Sequence, residues 1–161
     1  MRTTLGLLIV TIGLGGCFAH QQPAQPKFAF LFETGNGAKL DTYNGILTKD
    51  MVVGPDTTIR FVLPQADLDS VRRRMIDIHF FEMSEPHPDF GPIIGRRAPS
   101  TTCRIEATLG DRSRRLFWDN KDIYENRGDY KAVMELESLI WKIIEKQPEY
   151  QALPHARGGY Y

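Results

Sequence analysis

The 161-residue sequence is poor in cysteine, with only two, and has no net charge, since 20 Lys and Arg balance 20 Asp and Glu. Without a global field, nothing draws the chain to nucleic acid or to a broadly acidic partner. Two cysteines, Cys17 and Cys103, are too few for a disulfide framework. The familiar catalytic signatures are missing too: there is no G-x-S-x-G elbow, no H-E-x-x-H, no C-x-x-C and no P-loop. The four histidines (His20, His79, His87 and His155) are scattered without the spacing of a metal site, and no motif calls for a metal or cofactor. Leu5 to Gly15 is apolar, but as a helix it would rise only about 16 Å, against a hydrocarbon core of about 30 Å.

What is present is a composition that builds one core. Hydrophobic residues make up 42% and charged residues 25%, and the length suits one ordinary domain better than two. The first stretch reads as an export signal, with a basic Arg2, the apolar run, and small residues leading into Cys17. Leu14-Gly15-Gly16-Cys17 resembles the lipobox of bacterial lipoproteins. That resemblance implies cleavage before Cys17 and acylation of it, which would anchor the chain in the cell envelope, at the periplasmic face of the outer membrane. The competing reading is ordinary cleavage after Ala19, at Cys17-Phe18-Ala19, which would release the mature protein into the periplasm. On the lipoprotein reading, residues 1–16 are the signal, 17–26 the acylated cysteine and a Pro-interrupted tether, 27–149 a single domain, and 150–161 a flexible tail. Cys103, left without a partner thiol in an oxidising compartment, is then expected to be buried.

Within the domain, KFAFLFET (27–34) is apolar on both faces and reads as an interior strand. Asn44-Gly45 taken alone signals a hairpin, but residues 40–53 read as one long bent strand with a bulge there, and TTIRFVL as a third strand. Leu68, Val71, Met75 and Ile78 recur at helical spacing, with Asp69–Arg73 and Arg73–Asp77 as i,i+4 pairs and Phe80, Phe81 and Met83 plugging the sheet beyond. Arg72-Arg73-Arg74 fans around a helix, so it reads as a solvated face rather than a basic patch. TCRIEATL and RSRRLFWD alternate around Gly110-Asp111, which sets Ile105 opposite Leu116, Cys103 opposite Trp118 and Glu106 opposite Arg115. The acidic DNKDIYENRGD (119–129) lacks the ligand spacing of a calcium loop and reads as a capping loop before a helix over 130–147. That helix carries Val133, Leu136, Ile140, Ile143 and Ile144 on one stripe.

These segments predict an α+β fold, an antiparallel sheet of about five strands against two helices in the order β-β-β-α-β-β-α. With GAKLDTYNG, TTIRFVLPQADLDSVRRRMIDIHFFEM and the later hairpin and helix, the chain is similar to an uncharacterised domain of bacterial envelope lipoproteins. In that family a strand patterned G-T-V-x-Y-x-G precedes a helix ending in Phe-Phe; Tyr43, Gly45, Phe80 and Phe81 occupy those places here. The resemblance implies the fold and carries no activity. Two functions remain open: a lipid-anchored, non-enzymatic binding or accessory module with an envelope protein partner, or an envelope enzyme of hydrolase type.

The candidate partner-binding segment is residues 84–100, read as irregular, with Phe90, Ile93 and Ile94 as apolar anchors and Arg96 and Arg97 as a charged rim. The alternative is that the same apolar residues fold back as a lid over the core. The anchor itself is directly testable. Metabolic labelling with a fatty-acid analogue is expected to mark the wild-type protein and not Cys17→Ala; equal labelling, or none in either, removes the anchor.

Overall fold

The computed structural model describes residues 27–35, 37–85, 87–88, 93–96, 102–119, 122–124 and 127–156. Four strands come first: β1 (Phe28–Thr34), β2 (Ala38–Asp41), β3 (Ile46–Lys49) and β4 (Thr57–Arg60). Helix α1 (Gln65–Asp77) and a 3-10 turn (Phe80–Glu82) follow. Then come β5 (Ile93–Arg96), β6 (Thr102–Leu109), β7 (Arg112–Asp119), β8 (Asp122–Tyr124), α2 (Arg127–Glu145) and the short α3 (Pro148–Gln151). Six strands make an open antiparallel sheet in the order β4-β3-β2-β1-β6-β7, and β5 and β8 form a separate two-stranded ribbon. The class is α+β. The described residues give eight strands and three helices rather than five and two.

β1 is interior, as its double apolar pattern requires. It pairs with β2 on one side and along its whole length with β6 on the other, from Phe28↔Leu109 to Thr34↔Cys103. Phe30 and Phe32 point into the main core beneath the helices, while Ala29 and Leu31 are buried on the opposite face. The β6–β7 register matches the alternation: Ile105 faces Leu116, Cys103 faces Trp118, and Cys103 is fully buried.

Residues 40–53 correct the single bent strand. They form a hairpin, β2 and β3, turned by Thr42–Gly45. The Asp41 carboxylate accepts the backbone N–H groups of Tyr43 and Asn44 at 3.0 and 3.1 Å, and Gly45 takes a φ of +65°. The Thr42 hydroxyl both accepts from the Phe30 N–H and donates to the Phe30 carbonyl, each at 2.7 Å. The local bonds of Asp41 and the longer-range tie of Thr42 to β1 together hold a reversal that outcompetes a bulge. Residues 84–100 are corrected as well: they contain β5, whose N–H and C=O groups find a partner in β8 inside the supposed capping loop.

Both helices lie on one face of the sheet. α1 begins beside the end of β4 and leads into the 3-10 turn, which packs against β7, so it crosses the strands near the end where β1 begins. α2 runs antiparallel to α1. The Asp67 carboxylate accepts from Lys146 and, at 3.0 Å, from Gln147, while Arg74, near the C-terminus of α1, reaches Glu135 in the middle of α2 at 2.6 Å. The arginine triplet does fan out: Arg72 pairs with Asp69 at 3.4 Å, Arg73 is exposed, and Arg74 turns to α2. Asp69 therefore bonds at i+3 rather than with Arg73 at i+4. Val71 and Met75 are buried, with Leu68 and Ile78 half-buried beside them. Phe80 and Phe81 fill the sheet's margin as a T-shaped pair.

The chain beyond residue 147 continues into α3 rather than fraying at once. Leu153 packs on the core, and the Lys49 ammonium lies 5.0 Å over the Tyr150 ring and donates to the Pro154 carbonyl at 2.9 Å.

Gly37 is a close-approach position. A Cβ there would lie 2.4 Å from Thr34 Oγ1 and 3.1 Å from the Trp141 ring, which stands edge-to-face with Phe32 at 5.7 Å between ring centres. Gly37→Ala is expected to lower stability by about 1–3 kcal/mol through overpacking, read as a reduced midpoint in urea. An unchanged midpoint would show that Trp141 does not close on that turn.

Candidate functional site

Among the described residues no helix covers the sheet face away from α1 and α2, and polar side chains of β1, β6 and β7 furnish it. Glu33 on β1 and Glu106 on β6 both approach Arg104, at 3.5 and 3.1 Å. Arg115 stands opposite Glu106 in the register, yet Glu106 pairs along its own strand with Arg104 instead. Such half-exposed pairs contribute at most about 1 kcal/mol each. The two carboxylates share one guanidinium, so the trio keeps a net charge of minus one. Around it, Ile46 and Phe117 are partly exposed and Tyr43 is 46% exposed.

Two depressions mark this side of the molecule. One, of about 210 Å³, is lined by Tyr43, Glu85, Glu106, Thr108, Arg114 and Arg115 among others. The other, of about 190 Å³, lies at the far end of the strands near Glu33, Lys39, Asp50 and Asp56. Pockets that enclose a small ligand usually measure about 300–1,000 Å³. These two are shallow surfaces on which a partner's side chains can rest. Among the described residues, no group of three His, Cys, Asp or Glu side chains could hold a metal ion, and no helix is long and apolar enough to cross a membrane.

The two edges of the sheet differ. β7 is guarded by the beginning of the 84–100 segment: Glu85 accepts the Arg115 N–H at 2.9 Å, and His87 Nδ1 lies 2.9 Å from the Phe117 carbonyl, its ring edge-on to Phe117. For that bond Nδ1 must carry the proton, because a carbonyl can only accept. Pro88 is buried. Arg114 donates from Nε and Nη2 to the Phe81 carbonyl at 3.0 and 2.8 Å, and Arg112 stacks over the Phe81 ring while reaching Glu82 at 3.2 Å. These contacts fasten the 3-10 turn to β7. Covering a sheet edge in this way prevents unwanted pairing with another chain.

The sequence-predicted site residues divide accordingly. Ile93, Ile94 and Arg96 are brought onto β5, with Ile93 opposite Tyr124, Arg96 opposite Asp122, and a bulge between Ile93 and Gly95. Ile93 is 56% exposed, so it does not act as a lid on the core. Cys17, Phe90 and Arg97 lie outside the described residues. Glu85, His87 and Tyr43 were missed as surface-shaping residues. Their only trace in the sequence is polar punctuation around prolines and an Asn-Gly turn, neither of which says which edge or face is nearby.

A scan against models of protein families finds no match for this chain, and a search of curated proteins finds none either.

The turn that presents Tyr43 has its own pH signature. Burial alone would raise the Asp41 pKa, but hydrogen bonds from the Asn44 side chain and from the Asn44 and Tyr43 N–H groups, with the Lys39 charge, together outweigh it and hold the carboxyl below its usual range. A lowered folded-state value means that the stabilisation is complete above the unfolded pKa of about 4. It is lost as pH falls through the folded value. Acid titration of wild type and Asp41→Asn is expected to show a stability difference that shrinks as pH falls below about 4. A difference that stays constant down to strong acid would contradict this account.

Proposed function

We infer that this chain is a bacterial envelope lipoprotein, anchored through acylated Cys17 at the periplasmic face of the outer membrane, whose domain is a non-enzymatic binding module. The observation that carries the binding half of this reading is the open outer face of the sheet. Arg104 meets both Glu33 and Glu106 on it, the two depressions described on it are too shallow to enclose a small substrate, and partly exposed Phe117 borders it. Such a surface suits a protein partner, which needs complementary area rather than an enclosed cleft. The anchoring half is supported by the Leu14-Gly15-Gly16-Cys17 motif. Ile93, exposed on the β5–β8 ribbon, extends the same kind of surface into the segment first singled out for partner binding.

The experiment is cross-linked affinity capture from the cell envelope, comparing wild type with Ile93→Ser and with Phe117→Ser. Ile93 is 56% exposed and Phe117 37%, so each variant is expected to keep its melting temperature within a few degrees, Phe117→Ser falling the more because it loses the His87 contact. Loss of one defined envelope protein from the captured set supports the module. An identical captured set in all three proteins contradicts it. A variant that melts far lower makes its residue a structural one and removes it from the surface.

A further inference from the structure

We propose that the end of the sheet formed by the Thr42–Gly45 turn and the residues following β4 is a membrane-contact face, and that the occupant of its apolar patch is the lipid surface. This deepens the anchored reading, on which it rests.

The placement follows from topology. β1 starts at this end, and Lys27 is tied to it because its carbonyl accepts the Gly110 N–H at 3.0 Å. The β2–β3 and β6–β7 turns lie at the same end, since Thr42 bonds Phe30 and Gly110 bonds Lys27. The chain leaving β4 arrives here too: the Phe61 N–H donates to the Gly45 carbonyl at 2.7 Å, and Val62 lies so close that a Cβ on Gly45 would meet its Cγ2 at 3.2 Å. Tyr43, Ile46 and Val62 are therefore gathered at one corner, and Val62 is 69% exposed. Exposed Lys27 and Arg60 flank them. An aromatic ring with a polar tip, two branched aliphatic side chains and flanking cations form a set that favours the headgroup boundary of a bilayer.

The length of chain between the anchor and the domain selects this end. From Cys17 to Lys27 the backbone can span at most about 35 Å when fully extended. To turn the opposite end towards the bilayer, that segment would first have to run alongside the sheet, about 25 Å for a strand of eight residues. Only about 10 Å of that reach would remain, whereas none of it is spent in this way when the end carrying Lys27 faces the lipid, and that is the end with the clustered apolar corner. Val53 is also exposed, but it stands in the β3–β4 connection at the far end, alone.

The test places the photoreactive residue benzoylphenylalanine at Tyr43, Val62 or Val53, one position per protein. Each protein, beginning at Cys17, is coupled through that thiol to a maleimide-bearing lipid in vesicles of phosphatidylethanolamine and phosphatidylglycerol. Cys103 is fully buried, so coupling is confined to Cys17. On illumination, lipid adducts are expected to be several-fold more abundant from positions 43 and 62 than from 53. Equal yields from both ends, no adduct from 43 and 62, or adducts to a second copy of the chain in place of lipid would each overturn the proposal. Because the anchor is supplied chemically, failure here is distinct from failure of the natural anchor, which the fatty-acid labelling of Cys17 reads by itself.

Discussion

The whole domain depends on β1 being buried on both faces while pairing on both sides. Phe30 and Phe32 are fully enclosed by the helices and the neighbouring strands, and each such ring contributes about 1.5–3 kcal/mol relative to exposure. Ala29 and Leu31 on the reverse face are also shielded. A strand of this kind cannot sit at an edge without exposing one of its faces or a row of unpaired backbone groups. β2 and β6 are thus recruited to its two sides. The sheet grows outward from there, as a meander through β3 and β4 in one direction and through the β6–β7 hairpin in the other.

Polar contacts then decide how the helices sit on that sheet. Apolar packing alone lets a helix slide or rotate over an aliphatic surface. The Asp67–Lys146–Gln147 cluster at one end and Arg74–Glu135 at the other constrain α1 and α2 to an antiparallel arrangement. The edge contact of Trp141 with Phe32 seats α2 over the turn at Gly37. At the opposite margin, the Arg114 fork on the Phe81 carbonyl fixes where the chain leaves α1. These contacts hold α1 at both ends and α2 from its middle to its C-terminus, and no described helix covers the outer face of the sheet.

That arrangement separates possible tasks by position. The outer face and the β5–β8 ribbon offer area to a protein. On the proposed anchoring, the corner at Tyr43, Ile46 and Val62 stands at the end where the chain would enter from the membrane side. A domain attached by one short segment gains from a second contact, because the cost of orienting it has already been reduced by the attachment. An anchored protein whose apolar corner rests on lipid would hold its outer face at a defined angle to the bilayer, a geometry suited to meeting an envelope partner.

Period and composition by themselves determined the nature of β1, the α1 and α2 stripes, the β6–β7 hairpin with its full register, and the burial of Cys103. In those elements the hydrophobic alternation is strong and local, and a slip by one residue would turn every buried side chain outward. Tertiary structure decided the rest. Asn44-Gly45 became a hairpin because Thr42 could bond to β1, far away in sequence. Ile93–Arg96 became a strand because Asp122–Tyr124 was there to pair with it. Four-residue and three-residue strands carry too little pattern to announce themselves, since their stability resides in the partner. Glu85 and His87 found roles as edge guards only when the fold brought them beside β7. The exposed corner at Tyr43 and Val62 has the same origin: residues separated by a turn and two strands become neighbours through backbone pairing, which a linear pattern does not encode.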